Sequence, residues 1–150
     1  MIPDAVAALR NLNRQLAAAI ADVLLGLTDD QRAFVAPALD ARPFGEVVVH
    51  AYRPILAAAH VVAGRDWPPR RSQPATVAAL DALVAAMVAE VDALLAQLAG
   101  EALARPVTLR WGPRASGLDA LNNCLAHGFV HVGACRGARA IGGFPVPPER

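Results

Sequence analysis

Apolar residues recur at steps of three and four along four segments of the chain, and this spacing predicts four amphipathic helices. The segments run from about Asp4 to Leu25, from Phe44 to about Ala63, from Thr76 to Gly100 and from Ser116 to Ile141. The connections between them are long. The pattern therefore predicts an all-α fold, a four-helix bundle that forms a single domain over residues 1–150.

Polar residues and glycines indicate where these helices begin and end. Thr28 and Gln31 have the spacing of a capping box, which predicts a short extra turn after the first helix. Ser116 with Asp119 repeats this signal in shortened form at the start of the fourth helix. Gly100 suits the left-handed position after a helix end, so we expect the third helix to end there.

Proline at position 54 complicates the second segment. Its sequence EVVVHAY would also suit a strand, but the apolar pattern continues through Ile55 and Leu56, which favours a helix. Pro54 has no N–H and its ring crowds the carbonyl of His50. The helix therefore either kinks at this point or begins only near Pro54. A brief extended piece is predicted at residues 107–111.

Composition narrows the environment of the protein. With 55% hydrophobic residues and a mean hydropathy of +0.37, much apolar surface must be buried in the chain or at a partner. No apolar run reaches the roughly eighteen residues of a membrane span, and the N-terminus lacks a signal-peptide layout. The net charge of +1 gives no reason to expect nucleic acid. We expect a cytoplasmic protein.

Gly133 and Gly137 would let another helix approach the fourth helix closely.

Two histidines on the fourth segment suggest metal chemistry. His127 and His131 are four residues apart and share one helix face, so both imidazoles can reach one point. Neutral imidazole is a good ligand for zinc, copper, nickel and iron. The pair also fits two buried histidines with satisfied hydrogen bonds. His50 is the candidate third ligand, whereas His60, ten residues further on, is expected to be structural.

Cysteines and one carboxylate lie near these histidines in the sequence. Cys124 and Cys135 sit about a turn beyond the pair on either side, and free cysteine is usually a small buried residue, so we expect packing roles. Glu46 precedes His50 by one turn. It would suit an acceptor behind a ligating histidine or a proton acceptor, and equally an exposed acid favoured by the helix dipole.

Further candidates follow from position alone. No motif identifies catalytic residues. Tyr52, Arg53 and Asn123 are candidates for the rim of a cavity, and together with Glu46 they are the catalytic candidates. Trp67 and Trp111 lie in loops, where we expect them to cover the ends of the bundle.

The positions of these histidines resemble the pattern of the DinB/YfiT superfamily of small four-helix-bundle proteins. A lone histidine in the second helix is followed about eighty residues later by AHGFVHVGACRGAR and a Gly–Pro exit. His50, His127 and His131 match the histidines of the family pattern, and Gly133 stands where the family often has its H-x-G-like continuation. The segment VTLRWG before the last helix also resembles the family.

The resemblance implies one divalent metal, zinc, nickel or iron, held by His50, His127 and His131 with water in the open positions. Members studied as enzymes are typically thiol transferases or isomerases that use bacillithiol, mycothiol or glutathione. We therefore expect a metal- and thiol-dependent S-transferase acting on a small electrophile, and a homodimer formed through helix faces. Metal-assisted hydrolysis and a non-catalytic, stress-related binding role are the alternatives.

Overall fold

A computed structural model describes residues 3–148 of the chain, most of them in helices. The helices are, in chain order, α1 (Pro3–Leu24), α2 (Asp29–Arg32), α3 (Phe44–Val62), α4 (Val77–Ala96), α5 (Gly100–Ala104) and α6 (Gly117–Ile141). A single 3₁₀ turn, Pro37–Leu39, precedes α3. Two short strands, β1 (Pro106–Val107) and β2 (Ala115–Ser116), pair antiparallel between α5 and α6.

The four long helices surround one apolar core. Helix α1 packs against α4 and α6, and α3 packs against the same two helices. Each long helix contributes fully buried side chains to this core, among them Leu16, Ile20, Tyr52, Ile55, Leu80, Leu95 and Leu121. The prediction of an all-α fold is confirmed, and the four predicted segments are the four long helices.

The capping signals read from the sequence are present. Gln31 donates its backbone N–H to the Thr28 hydroxyl at 3.2 Å, and the Gln31 side chain accepts from the Thr28 N–H at 3.0 Å. Ser116 accepts from the backbone N–H of Asp119 at 3.0 Å and so caps α6. These side chains satisfy N–H groups that have no partner within their own helix.

Two predicted boundaries are wrong. Helix α4 ends at Ala96, and Gly100 begins the short helix α5 instead of ending the helix before it. The extra turn places Leu103 in the core with 1% of its surface exposed. The extended piece predicted at residues 107–111 is shorter and begins one residue earlier in the chain. It consists of Pro106–Val107, which pairs with β2, the strand before α6.

Helix α3 is continuous across Pro54. It begins at Phe44, so the possibility that it starts only near the proline is excluded, and His50 lies well inside it. His50 lies on the side of α3 that packs against α6. Within residues 3–148, no helix is both long and apolar enough to span a bilayer.

The close contact between α3 and α6 depends on Gly128, whereas Gly133 and Gly137 were the glycines expected to admit another helix. A Cβ atom at Gly128 would lie 2.7 Å from the carbonyl oxygen of Ala51 and 2.7 Å from a methyl of Leu16. A Cβ at Gly133 or Gly137 would meet no atom within 4 Å. It is therefore Gly128, next to His127, that lets α3 and α6 approach each other closely.

Candidate metal centre

Three histidines from two helices meet where α3 packs against α6. One ring nitrogen from each of His50, His127 and His131 lies within 4.8 Å of the other two. The Nε2 atoms of His127 and His131 are 2.9 Å apart. The ring of His50 stands nearly perpendicular to both, with its centroid 5.1 Å from His127 and 4.8 Å from His131. The structure thus brings all three predicted ligands to one place.

The surroundings of these rings keep them neutral. Burial lowers the pKa of His50 to about 4, and the charges of His131 and His127 act in the same direction. Burial likewise lowers the pKa of His127 and of His131. A neutral imidazole has a free lone pair, which is the form that binds a metal. At neutral pH the three side chains are therefore ready to act as ligands.

The donor set fits a divalent transition metal. Two nitrogens that each lie about 2.1 Å from one ion are roughly 3.0–3.4 Å apart, so the 2.9 Å between the Nε2 atoms of His127 and His131 needs only a small adjustment to admit an ion. These two atoms lie at hydrogen-bond distance, and Nδ1 of His127 is buried with no partner in the described chain. In residues 3–148 no cysteine or carboxylate joins the cluster. Three imidazoles would leave open positions on a bound ion.

A cavity of about 950 Å³ opens beside the cluster. Its walls come from α3, α6 and the two loops after α3 and β1. The lining residues are His50, Arg53, Pro54, Ala57, Trp67, Pro68, Pro69, Arg70, Arg110, Trp111, Asn123, Cys124 and His127. Two of the catalytic candidates, Arg53 and Asn123, therefore line the same cavity as His50 and His127.

The other two weak candidates lie outside the cavity. Tyr52 is fully buried and donates its hydroxyl to Oδ1 of Asn13 on α1. Burial raises the pKa of Tyr52, so it stays protonated and links α3 to α1. Glu46 is exposed in the first turn of α3 and makes no hydrogen bond to a histidine of the cluster. The structure does not bring either residue to the site.

Trp67 and Trp111 both line the cavity, a position that the expectation of a covering role did not include. Trp67 and Trp111 come from different loops and meet edge to face, with ring centroids 5.1 Å apart. The guanidinium of Arg110 lies 4.2 Å from the centre of the Trp67 ring. The signal in the sequence was the pairing of tryptophan with arginine in both loops, DWPPRR and LRWGPR.

The cysteines and His60 occupy the structural positions expected of them. Cys124 and Cys135 are free and buried, and burial raises the pKa of their thiols to about 11 and about 12. Both are therefore protonated at neutral pH. His60 lies apart from the cluster, where its Nε2 is 2.7 Å from Oε1 of Glu90 and its Nδ1 is 3.1 Å from the carbonyl oxygen of Asp66.

Sequence reasoning missed the loop between the 3₁₀ turn and α3. The 3₁₀ turn before this loop packs against α6. Burial lowers the pKa of His131, and the charges of Asp40 and Arg42 in the loop act on it in opposite directions. Asp40 and Ala41 have positive φ angles of 53° and 58°, which are uncommon for residues other than glycine. No periodicity or motif marks this loop, so only the fold reveals its position.

The fold and the three-histidine cluster define a class: small helical bundles with a group of imidazoles that could hold a metal ion. The family model of the DinB superfamily matches residues 3–135, and the chain belongs to this superfamily. Among solved structures, the chain is similar to the crystal structure of YjoA, a DinB-like protein from Bacillus subtilis. The two share 20% identity and a TM-score of 0.64 over 97% of this chain and 96% of YjoA, which shows a common fold. No curated protein matches the chain.

Proposed function

We propose that this protein is a divalent-metal-dependent S-transferase, which joins a low-molecular-weight thiol to a small electrophile. The observation that supports this most is the convergence of three neutral imidazoles beside a cavity of about 950 Å³, with no fourth ligand from the described chain. Such a site combines firm attachment of a metal with room for a second molecule.

The nucleophile would come from the small thiol. A divalent metal bound by the histidines supplies a positive charge that lowers the pKa of a thiol beside it. Cys124, the one cysteine in the cavity wall, has its pKa raised to about 11 and is therefore a poor nucleophile. In the transfer a sulfur–carbon bond forms, the leaving group departs with its bonding electrons, and the proton of the thiol passes to solvent.

The residues of the chain would hold and orient the reactants. His50 is fixed by α3, and His127 and His131 are fixed one turn apart by α6, so packing of the two helices sets the geometry of the site. Asn123 lies on α6 one turn before His127 and lines the cavity. Its amide offers both a donor and an acceptor to a polar group of the substrate.

Elemental analysis tests the metal centre. Protein purified without nickel resin should contain one divalent metal per chain. His131→Ala should lose it, because two imidazoles remain where three converged, and His60→Ala should keep it, because His60 bonds Glu90 instead. Equal loss of metal in both variants would contradict the assignment of ligands.

Cobalt substitution tests the reaction class. Thiolate coordination gives cobalt an intense near-ultraviolet charge-transfer band, so titration with bacillithiol, mycothiol and glutathione should produce this band for at least one of them. The band should grow as the pH rises, since coordination releases a proton. If none of these thiols changes the spectrum at millimolar concentration, the transferase proposal fails. Metal-assisted hydrolysis or a non-catalytic binding role would then be the better hypothesis.

A further inference from the structure

The charged side chains in the cavity wall are all arginines. Arg53, Arg70 and Arg110 line it, and no aspartate or glutamate does. Within residues 3–148, none of these three guanidinium groups forms an ion pair or a side-chain hydrogen bond. By contrast, Arg71 donates to Oε2 of Glu90 at 2.9 Å. The cavity therefore holds three positive charges whose hydrogen-bond donors no residue from 3 to 148 uses.

Two of these charges, on Arg53 and Arg70, belong to the wall of the same cavity and act on each other. Burial lowers the pKa of Arg53, and the charge of Arg70 lowers it further. Like charges that face one space without a counterion destabilise the fold, and a bound anion removes that cost. A guanidinium group matches the planar shape of a carboxylate and can bind it through two parallel hydrogen bonds.

The cavity also offers an apolar wall. Trp67 and Trp111 form a pair of rings at its edge, and 53% of the surface of Trp111 is exposed. Arg110 stacks on Trp67, which holds a guanidinium against this aromatic surface. An exposed tryptophan beside a cationic group is the arrangement that suits a ligand with an apolar body and an acidic end.

We propose that the cavity binds a small organic anion, whose acidic group is held by Arg53, Arg70 and Arg110 and whose apolar body lies against Trp67 and Trp111. His50 and His127 belong to the same lining, so such a ligand would reach from the arginines to the histidine cluster. The identification of this anion as substrate or thiol cofactor rests on the proposed function. The anion site itself does not.

A pair of probes tests the anion site. Benzenesulfonate and benzenesulfonamide have nearly the same shape, and only the first is an anion. The chain has two tryptophans, and both belong to the cavity wall, so tryptophan fluorescence reports binding directly. In metal-free and in metal-loaded protein, benzenesulfonate should change the fluorescence saturably, with an affinity at least about tenfold above that of the sulfonamide.

Adjacent arginines provide the matched control. Arg70→Gln and Arg71→Gln remove the same charge one residue apart, but only Arg70 lines the cavity. Arg70→Gln should weaken benzenesulfonate binding about tenfold and leave sulfonamide binding unchanged, whereas Arg71→Gln should bind both probes like the unaltered protein. Circular dichroism would verify that both variants are folded.

Three results would overturn the anion site: equal affinity for the two probes, equal effects of the two substitutions, or no binding of benzenesulfonate. The probe has no thiol and its signal needs no metal. Binding of benzenesulfonate can therefore be found even if no thiol changes the cobalt spectrum, and a thiol can change the cobalt spectrum even if benzenesulfonate does not bind.

A second titration distinguishes the sources of the anion. Mercaptosuccinate carries carboxylates beside its thiol, and 2-mercaptoethanol carries none. If the thiol cofactor provides the anion, Arg70→Gln should weaken only the effect of mercaptosuccinate on the cobalt spectrum. If the electrophile provides it, Arg70→Gln should leave both thiols unaffected while still weakening benzenesulfonate.

Discussion

At the scale of single residues, burial decides which side chains can take part in chemistry. It keeps the three clustered histidines neutral and available, and it keeps Cys124 and Cys135 protonated and unreactive. The same physical effect therefore prepares histidine as a ligand and disables cysteine at neighbouring positions of α6. What burial does to the histidines has a measurable consequence for stability.

The metal-free protein should lose stability as the pH falls from about 6.5 toward 4. The pKa of His50 is about 4 in the fold and near 6.5 in an unfolded chain, so between these values the unfolded chain binds a proton that the folded chain does not. Its stabilising contribution is complete above pH 6.5 and disappears as the pH approaches 4. Urea unfolding at a series of pH values would measure this.

His50→Gln removes the titrating group and should make the pH dependence shallower over the same range. The lowered pKa values of His127 and His131 act in the same direction, so part of the slope should remain. Identical slopes in the variant and the unaltered protein would show that His50 is not held neutral by the fold.

At the scale of elements, the approach of α3 to α6 sets the distance between His50 and the histidine pair. Gly128→Ala should push the helices apart, because its Cβ would lie 2.7 Å from the Ala51 carbonyl oxygen. We expect a loss of about 2–3 kcal/mol in unfolding free energy and weaker binding of zinc. Gly133→Ala, on an open surface of the same helix, should stabilise by up to about 1 kcal/mol. Urea unfolding and zinc titration of the two variants would check both expectations.

Arg139 joins the end of α6 to the end of α1. It is 2% exposed, and its guanidinium donates to the carbonyl oxygens of Val23, Leu25 and Phe144 at 2.8–2.9 Å. Arg139→Leu should lower the unfolding free energy by about 3 kcal/mol, because it removes three hydrogen bonds and leaves the buried carbonyl of Val23 and two part-buried carbonyls without this donor. Arg136→Leu, in an exposed pair with Asp22, should change it by less than about 1 kcal/mol. A similar loss in both variants would contradict this role for Arg139.

At the scale of the whole molecule, the sequence predicts the elements that repeat and misses what the loops bring together. Helical spacing predicted the four long helices and the convergence of His127 with His131, because residues four apart must share a face. His50 was the candidate third ligand because its helix could lie opposite the pair, and the family resemblance added support, since spacing within one helix cannot show which other helix faces it.

No comparable spacing rule predicts which loop residues come together. The pairing of Trp67 with Trp111 joins two loops more than forty residues apart in the chain, and no local pattern encodes it. The difference between Arg70, which faces the cavity, and Arg71, which faces Glu90, depends on the path of one loop. The predictions of a homodimer and of a cytoplasmic location concern surroundings outside the single chain, and they stay predictions, the first of which light scattering would check.

A metal at the histidine cluster would connect α3 to α6, so its binding should stabilise the whole fold. Since the unfolded chain does not hold the three histidines together, free metal at about a hundred times its dissociation constant should add about 2.7 kcal/mol to the unfolding free energy. For a domain of this size that corresponds to a rise of about 5–10 °C in Tm. Thermal unfolding of chelator-treated protein with and without added zinc would measure the rise. His131→Ala should abolish the rise and His60→Ala should retain it, because only His131 belongs to the cluster. Equal stabilisation of both variants by zinc would mean that the ion binds elsewhere and that the two helices are held together by their packing alone.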